Sequence, residues 1–222
     1  MRKKVRKAFF EKLSKYIGRN AAHLVNPSAS EILPTDPSIS LKNGRPAKKG
    51  TTEAAAKAAA ADPHCFRVIK DRCYYVSEAV LKHTRASSSL SHSTILAAGT
   101  CMGKFTKTGK FRMHITALHV LARYAKWRVT VKPGPGENTF LYGNHILKAH
   151  IAGIPEDIPE HEGVVVFSAG SSSSGLGGME LPLGFAVSAK PAVIVPQLEP
   201  TAIVAFHQSD IGEYIRDEEI LF

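Results

Sequence analysis

Hydrophobic residues recur at helical spacing in the first part of the chain. Val5, Phe9, Leu13 and the pair 16–17 lie three to four positions apart, and Lys and Arg occupy the other faces. A period of about 3.6 residues predicts an amphipathic helix. We expect this helix to end near Gly18, because glycine is common at helix C-termini.

Two strand-like apolar runs follow at positions 66–69 and 73–76, separated by the charged segment 70–72. This arrangement predicts a β-hairpin. Ser77 is expected to cap a short helix at 79–83, because a serine oxygen accepts the free N–H groups at a helix start.

A second hairpin is predicted further along the chain. Its strands are 95–104 and 111–115, and the polar segment 106–109, which contains a glycine, forms the turn. Thr116 is expected to cap a helix at 117–125. The apolar side of that helix contains Leu118, Leu121 and Ala122.

The C-terminal part of the chain has mainly strand patterns. Alternation of Trp127, Val129 and Val131 with polar residues predicts a half-buried strand. The segment 133–136 is predicted to be a loop, and 143–148 a short helix. Short strands with glycine turns favour a small barrel. Further strands are predicted at 164–167, 183–187 and 202–206.

These elements predict an α+β protein with two domains. Residues 1–125 are expected to form an N-terminal α/β domain with an antiparallel sheet, and residues 126–222 a mostly β domain. The segment 27–63 is rich in Pro and Ser and lacks the periodicity of a core element, so we interpret it as a mobile insertion. A Gly/Ser-rich stretch at 169–178 is interpreted as a second insertion.

Composition narrows the class of protein. Hydrophobic residues make up 44% of the 222 positions, which is enough for a packed core. Cys65, Cys73 and Cys101 form neither a disulfide framework nor a zinc-ligand pattern, so we expect a reducing compartment and no metal. No stretch approaches the ~20 apolar residues of a membrane span. We found no secretory signal, so a soluble intracellular protein is expected.

Charge is divided unevenly along the chain. Residues 79–136 contain ten Lys or Arg and no Asp or Glu, a surplus equal to the formal net charge of +10. Residues 155–222 contain two basic and eleven acidic side chains. A long basic stretch interleaved with aromatic residues favours a polyanion such as nucleic acid as partner. A solvated basic face would have the same composition.

Signatures of catalysis are weak. The segment 103–110 resembles a phosphate-binding loop, but five residues rather than four separate its glycines, and Phe111 stands where Ser or Thr would bind magnesium. No dinucleotide-binding glycine pattern follows a strand, and acidic residues avoid the middle of the chain. We therefore predict that the protein is not an enzyme and has no cofactor.

Several ordered sequence blocks resemble one known family. They cover nearly the whole chain apart from 27–63 and 169–178. The blocks are KYIG at 15–18, DRCYYVSE at 71–78, GTCMGKFTKT at 99–108, FLYGNH at 140–145, PLGF at 182–185 and FHQSDIGEY at 206–214. In these blocks the chain resembles the eukaryotic nuclear-import-protein-seven family, whose members are assembly factors for the large (60S) ribosomal subunit.

This resemblance implies that the α/β domain is followed by a PUA domain, a mixed β pseudo-barrel that binds RNA. It also implies action in the nucleus and nucleolus, on pre-rRNA processing in the pre-60S ribosomal particle, with other ribosome assembly factors as partners. PUA domains typically contact RNA through their first helix and the turn behind it, here 143–151. We expect no membrane partner, and a monomer when the protein is free.

The basic residues define the predicted RNA-binding site. The predicted phosphate contacts are Lys104, Lys107, Lys110, Arg112, Arg128, Lys132 and Lys148. Six such contacts on single-stranded RNA predict a salt slope of about −4. Two alternatives are a protein adaptor with weak or indirect RNA contact, and an RNA-modifying enzyme with a PUA targeting domain. The enzyme would need a catalytic carboxylate or a cofactor loop.

Overall fold

Two β-sheets with helices between and beside them make up the part of the chain that the structure describes. The computed structural model describes residues 3–25, 63–86, 98–170, 180–217 and 219. The α+β class is confirmed. Nearly all of the predicted insertions at 27–63 and 169–178, and the first residues of the strand predicted at 95–104, lie outside the described residues.

Sheet A contains the two predicted hairpins. Its antiparallel strands are β1 (His64–Ile69), β2 (Arg72–Ser77), β3 (Thr100–Phe105) and β4 (Phe111–Met113), in the order β1-β2-β3-β4. Strand β4 is shorter than predicted, because Ile115 lies in a 3₁₀ turn and is fully buried. Gly103 has a φ of +147°, and a Cβ there would lie 2.1 Å from the Arg112 carbonyl oxygen, so only glycine fits this position.

The first two predicted helices are present. Helix α1 (Lys3–Ile17) ends immediately before Gly18, which has a φ of +61°. Helix α2 (Glu78–Ala86) begins after Ser77, whose hydroxyl accepts the Ala79 N–H at 3.2 Å, so the predicted cap is confirmed. None of the helices in the described ranges is long and apolar enough to cross a bilayer.

The predicted role of Thr116 is wrong. Its hydroxyl donates to the Cys101 carbonyl of β3, and a 3₁₀ turn (Ile115–Ala117) precedes helix α3 (Leu118–Tyr124). Threonine can satisfy a distant carbonyl as readily as a helix start, and local spacing does not distinguish the two cases. The apolar side of α3 is buried as predicted, at Leu118, Leu121 and Ala122.

Sheet B has six strands in the order β6-β10-β9-β8-β5-β7. The strands are β5 (Arg128–Val131), β6 (Ile146–Leu147), β7 (Ile151–Gly153), β8 (Gly163–Ser168), β9 (Pro182–Ser188) and β10 (Ile203–Asp210). Strands β5 and β8 are parallel, and the other pairs are antiparallel. The strands predicted near 127, 164, 183 and 202 are confirmed.

The helix predicted at 143–148 is wrong, and so is the loop predicted at 133–136. Helix α4 (Pro135–Leu141) begins instead within the Pro-Gly repeat, where Pro135 occupies the first turn and the Glu137 carboxylate accepts the Gly134 N–H at 3.0 Å. Gly143, with a φ of +83°, turns the chain into β6 and a 3₁₀ helix at Lys148–His150. A last short helix, α5 (Glu213–Arg216), follows β10.

Helix α1 packs against both sheets. The ring of Phe9 lies 4.9 Å from that of Phe66 in β1, and the ring of Tyr16 lies 5.5 Å from that of Phe185 in β9. Gly163 in β8 leaves room for Tyr16, because a Cβ there would lie 2.6 Å from the tyrosine ring. All strands of sheet A precede residue 125 and all strands of sheet B follow it, yet the two sheets share one buried cluster around α1 and α3. The division into domains at 125/126 stays a prediction.

Candidate nucleic-acid interface

Three cations from neighbouring strands form a row across sheet A. Arg72 in β2 is paired with Lys104 in β3, and Lys104 is paired with Arg112 in β4. Residues directly opposite each other in an antiparallel ladder share a face of the sheet. Arg112 is exposed, whereas its neighbours in β4, Phe111 and Met113, are buried, so this face points away from the core. We call Arg72, Lys104 and Arg112 the cation row.

The three positive charges of the cation row repel one another, because they lie opposite one another on adjacent strands. Neither the Lys104 nor the Arg112 side chain is paired with a carboxylate of the described residues. Like charges directly opposite each other destabilise a sheet. A bound polyanion removes this repulsion and gains attraction from all three charges at once, so the row is suited to consecutive phosphates.

The other two predicted hairpin lysines lie apart from the cation row. Lys107 is exposed at the tip of the β3–β4 turn, where the Thr106 hydroxyl accepts the Lys110 N–H at 3.1 Å. Lys110 lines a separate open cavity of about 300 Å³ beside α1, together with Glu11 and Lys12. The hairpin therefore presents its cations in more than one direction.

Two of the predicted cations in the C-terminal half already donate to backbone carbonyls. Arg128 Nη2 donates to the Ala122 carbonyl at 3.5 Å, and the guanidinium lies 5.1 Å from the Phe167 ring centroid. Lys132 Nζ donates to the Ala149 carbonyl at 2.8 Å. Both side chains remain exposed, so their contact with RNA stays a prediction.

Lys148 is held still more firmly. Its Nζ donates to the Pro196 carbonyl at 2.7 Å and also to the Leu198 carbonyl, so it ties the 3₁₀ helix at Lys148–His150 to the one at Ala192–Gln197. A phosphate contact would have to compete with these bonds. Lys148 follows a strand of sheet B, whereas the cation row lies in sheet A, and its contact with RNA stays a prediction.

His114 lies immediately after β4 and is only 6% exposed. Burial, reinforced by the positive charges of Lys104, Arg72 and Arg112, lowers its pKa to about 4. Its Nδ1 has no hydrogen-bond partner among the described residues. A buried, neutral imidazole thus lies close to the cation row.

Acidification is expected to destabilise the protein through His114. A histidine in an unfolded chain has a pKa of about 6.5, so between pH 6.5 and 4 the unfolded state binds the proton and the folded state does not. Stability is therefore lost as pH falls through this window, by about 2 kcal/mol at pH 5. Urea unfolding at pH 7.5 and pH 5 measures the loss, and His114→Gln is expected to reduce it. An equal loss in the variant would contradict this prediction.

A buried polar network lies at the end of β10. The carboxylate of Asp210, which is fully buried, accepts hydrogen bonds from His207 Nε2 at 2.6 Å, Arg216 Nη2 at 2.8 Å and the Gly212 N–H at 2.7 Å. His207, Asp210 and Gly212 lie in the sequence block 206–214, whereas Arg216 lies outside it, and their network was not predicted. Their spacing of three and six positions around Asp210 is the signal that could have shown it.

The same region holds the one group of metal-ligating residue types found among the described residues. Ligand atoms of His207, Asp210 and Glu213 lie within 4.8 Å of one another. However, the Arg216 guanidinium already occupies Asp210 Oδ2, and the Ser209 hydroxyl donates to Glu213 at 2.7 Å. A fixed cation at a ligand oxygen repels a second cation. We therefore interpret these residues as a structural network.

Comparisons with known proteins match both halves of the chain. Residues 53–115 match the family described as NIP7/UPF0113, pre-PUA domain, and residues 128–219 match the UPF0113 PUA domain. The 60S ribosome subunit biogenesis protein nip7 of Schizosaccharomyces pombe is 45% identical over 216 residues, which cover 97% of this chain and 95% of that protein. The corresponding Saccharomyces cerevisiae protein is 44% identical, with coverages of 97% and 94%.

Solved structures include a conserved PUA domain protein from Thermoplasma acidophilum. It matches 76% of this chain and 95% of its own, with 15% sequence identity and a TM-score of 0.43.

Proposed function

The chain belongs to the NIP7 family of 60S ribosome subunit biogenesis proteins, and from this membership we propose that it is a non-catalytic assembly factor that binds pre-rRNA. Family membership confirms the resemblance read from the sequence blocks. The finer proposal is that the protein acts in the nucleolus, within the pre-60S particle and beside other assembly factors.

The observation that carries the RNA-binding part is the cation row. Arg72, Lys104 and Arg112 occupy one face of three adjacent strands, and among the described residues no carboxylate pairs with Lys104 or Arg112. Neighbouring strands are about 4.8 Å apart, so the positive charges are closely spaced in a line. A single RNA backbone can follow such a line, which a compact ligand cannot.

Charge reversal in the cation row is expected to weaken RNA binding at least tenfold. In Lys104→Glu/Arg112→Glu, two phosphate contacts are lost, so the slope of log K against log salt should flatten by about 1.4. The measurement is fluorescence anisotropy with a labelled single-stranded RNA over a salt series. Fold loss is not expected, because the change replaces one pair of opposite like charges, Lys104 and Arg112, by another and gives Arg72 an acidic partner at position 104.

Lys82→Glu/Arg85→Glu is the matched control. Both residues are exposed in α2, lie in the same basic stretch and undergo the same change of charge. We expect less than a threefold change in affinity from this pair. Equal effects of the two double variants would show that only net charge matters, and unaffected binding in both would remove the cation row from the interface.

A protein adaptor is the second candidate function. Its supporting observation is the exposed apolar surface where α5 meets the end of α4, with Tyr142 78% exposed and Ile215 88% exposed. Large exposed apolar side chains in a group are typical of protein-binding surfaces. RNA binding that is absent at low salt would favour this function over the first.

A further inference from the structure

Strand β4 has a neighbour on one side only, and open cavities lie along its other edge. One cavity, of about 170 Å³, lies between β4 and sheet B, and a second, of about 240 Å³, continues from it. The two share Arg112, Met113 and Gln208 in their walls. The first also shares Lys12 and Phe111 with the cavity beside α1. These three cavities therefore form one groove along the whole of β4, which we call the β4 groove.

The strand register directs backbone groups of β4 into this groove. In an antiparallel ladder, successive residues direct their N–H and C=O groups alternately to the two sides of the strand. The His114 N–H donates to the Met102 carbonyl at 3.1 Å, so His114 and Arg112 bond toward β3. The N–H and C=O groups of Phe111 and Met113 therefore point into the groove, where no backbone group of a described residue bonds to them. The β4 edge thus offers two donors and two acceptors at strand spacing.

The β4 groove is lined mainly by positive charge. Its cations are Lys15, Lys110, Lys12, Arg112 and Lys104. Carboxylates line only the two end cavities, and they are Glu11, Glu213 and Asp217. The middle cavity has Lys12 and Arg112 in its wall and, among the described residues, no carboxylate. Burial, together with the charge of Lys15, lowers the pKa of the Lys12 amine. An added carboxylate would favour the charged form of Lys12, so the groove is suited to an acidic ligand.

A strand added in the groove would place its side chains in two different environments. On one face, a residue opposite Arg112 would have its Cβ about 4.5–5.5 Å from that of Arg112, beside the cation row. On the other face, its neighbours would be Phe111 and Met113, with Phe185 of β9 in the wall of the same cavity. A strand that alternates acidic and apolar residues matches both faces. A basic strand, such as β4 of a second copy, is repelled by Arg112.

We propose that the β4 groove binds an extended acidic segment of a partner protein, which adds to sheet A antiparallel to β4. Backbone hydrogen bonds to Phe111 and Met113 supply affinity, and the alternating side chains supply selectivity, as in β-strand addition generally. Phosphate oxygens accept hydrogen bonds and do not donate them, so phosphates on the cations leave these two carbonyl groups unpaired. The β4 edge therefore matches a peptide backbone better than an RNA backbone. This inference goes beyond RNA binding and does not depend on it.

The test uses the full chain and labelled octapeptides of alternating Glu and Val, with binding measured by fluorescence anisotropy at low salt. Val residues that share a face with Phe111 and Met113 exchange backbone bonds with them, so the Val amides point to β4 and the Glu amides point away. N-methylation of the Val amides is expected to weaken binding at least tenfold, because it removes these donors and places methyl groups against β4. N-methylation of the Glu amides is the matched control, since charge and composition are the same, and should change affinity less than threefold.

Charge is tested separately in the protein. Arg112→Gln is expected to weaken binding of the unmethylated peptide about threefold, the effect of losing one exposed ion pair. Lys82→Gln, in exposed α2 and outside the groove, should change it less than 1.5-fold. Equal effects of the two methylated peptides would overturn strand addition, because the groove would then attract anions through charge alone, as an RNA-binding surface does. No binding of the unmethylated peptide would remove the acidic segment as occupant. Neither result changes the proposed RNA-binding function, which is measured with RNA alone.

Discussion

Replacing Asp210 by alanine is expected to lower the free energy of unfolding by about 3 kcal/mol or more. The carboxylate is fully buried and accepts hydrogen bonds from His207, Arg216 and the Gly212 backbone. Removing one partner of a buried charged network lowers the free energy of unfolding by about 3–5 kcal/mol, because it leaves the remaining charge buried without an opposite charge. The Arg216 side chain is 38% exposed and can turn to water, which places the cost near the lower end.

The network also holds two segments that are distant in sequence. Arg216 donates both to Asp210 and to the Leu141 carbonyl, so the carboxylate fixes α5 against the end of α4. Burial alone would raise the pKa of Asp210, but the hydrogen bonds from His207, Arg216 and Gly212 lower it below its usual value. The carboxylate therefore stays ionised at neutral pH and keeps all three donors oriented.

An exposed pair of the same chemical kind is the control. His161 Nε2 lies 3.9 Å from Glu160, and the two side chains are 70% and 44% exposed. Glu160→Ala is expected to cost less than about 1 kcal/mol, as exposed ion pairs do. Urea unfolding at pH 7.5 measures both variants. If Asp210→Ala and Glu160→Ala lowered the free energy of unfolding by similar small amounts, water would have to reach the Asp210 network and replace its hydrogen bonds.

Strands and helices with a clear period were predictable, and very short elements were not. Phe111 and Met113 alternate with Arg112, and Val129 and Val131 with their polar neighbours, so each strand carries its own pattern. Strands β6 and β7 have two and three residues, too few to show a period. The segment 133–136 was predicted to be a loop because proline and glycine favour loops, but proline is also common in the first turn of a helix.

The cation row depends on strand register, which local sequence does not encode. Lys104 and Arg112 flank a predictable turn, but Arg72 comes from the preceding hairpin. A register shift between Cys73 and Tyr74 pairs Arg72 with Lys104, and a bulge of this kind leaves little trace in hydrophobic alternation. The uneven charge is the basis for the proposed ligand class, nucleic acid, whereas the identity of the aligned cations required the fold.

Long-range bonds account for the other differences between the predicted and the observed site. Lys148 donates to carbonyls 48 and 50 positions further along the chain. Arg128 stacks on Phe167 from a neighbouring strand. A basic residue that stabilises a loop and one that binds a phosphate look the same in a sequence, because only tertiary contacts distinguish them.

Phe9→Ala is expected to lower the free energy of unfolding by about 3–5 kcal/mol, the range for removing a buried phenylalanine. Phe9 is fully buried in α1, and its ring makes edge contacts with Phe66 at 4.9 Å and Phe111 at 5.0 Å. Phe10→Ala is the control, because the adjacent ring is only partly buried and should cost about half as much or less.

The same variant tests whether the two halves unfold together. Phe9 contacts sheet A, but the buried cluster to which it belongs also contains Val165, Phe167 and Phe185 of sheet B. Trp127 is the only tryptophan and lies immediately before β5, so its fluorescence reports the sheet B half, whereas far-UV circular dichroism reports the whole chain. If α1 joins both sheets in one core, Phe9→Ala shifts both transitions equally, since two-state unfolding gives coincident probes. A tryptophan transition that stays in place while the dichroism shifts would show instead that residues 126–222 unfold as an independent domain.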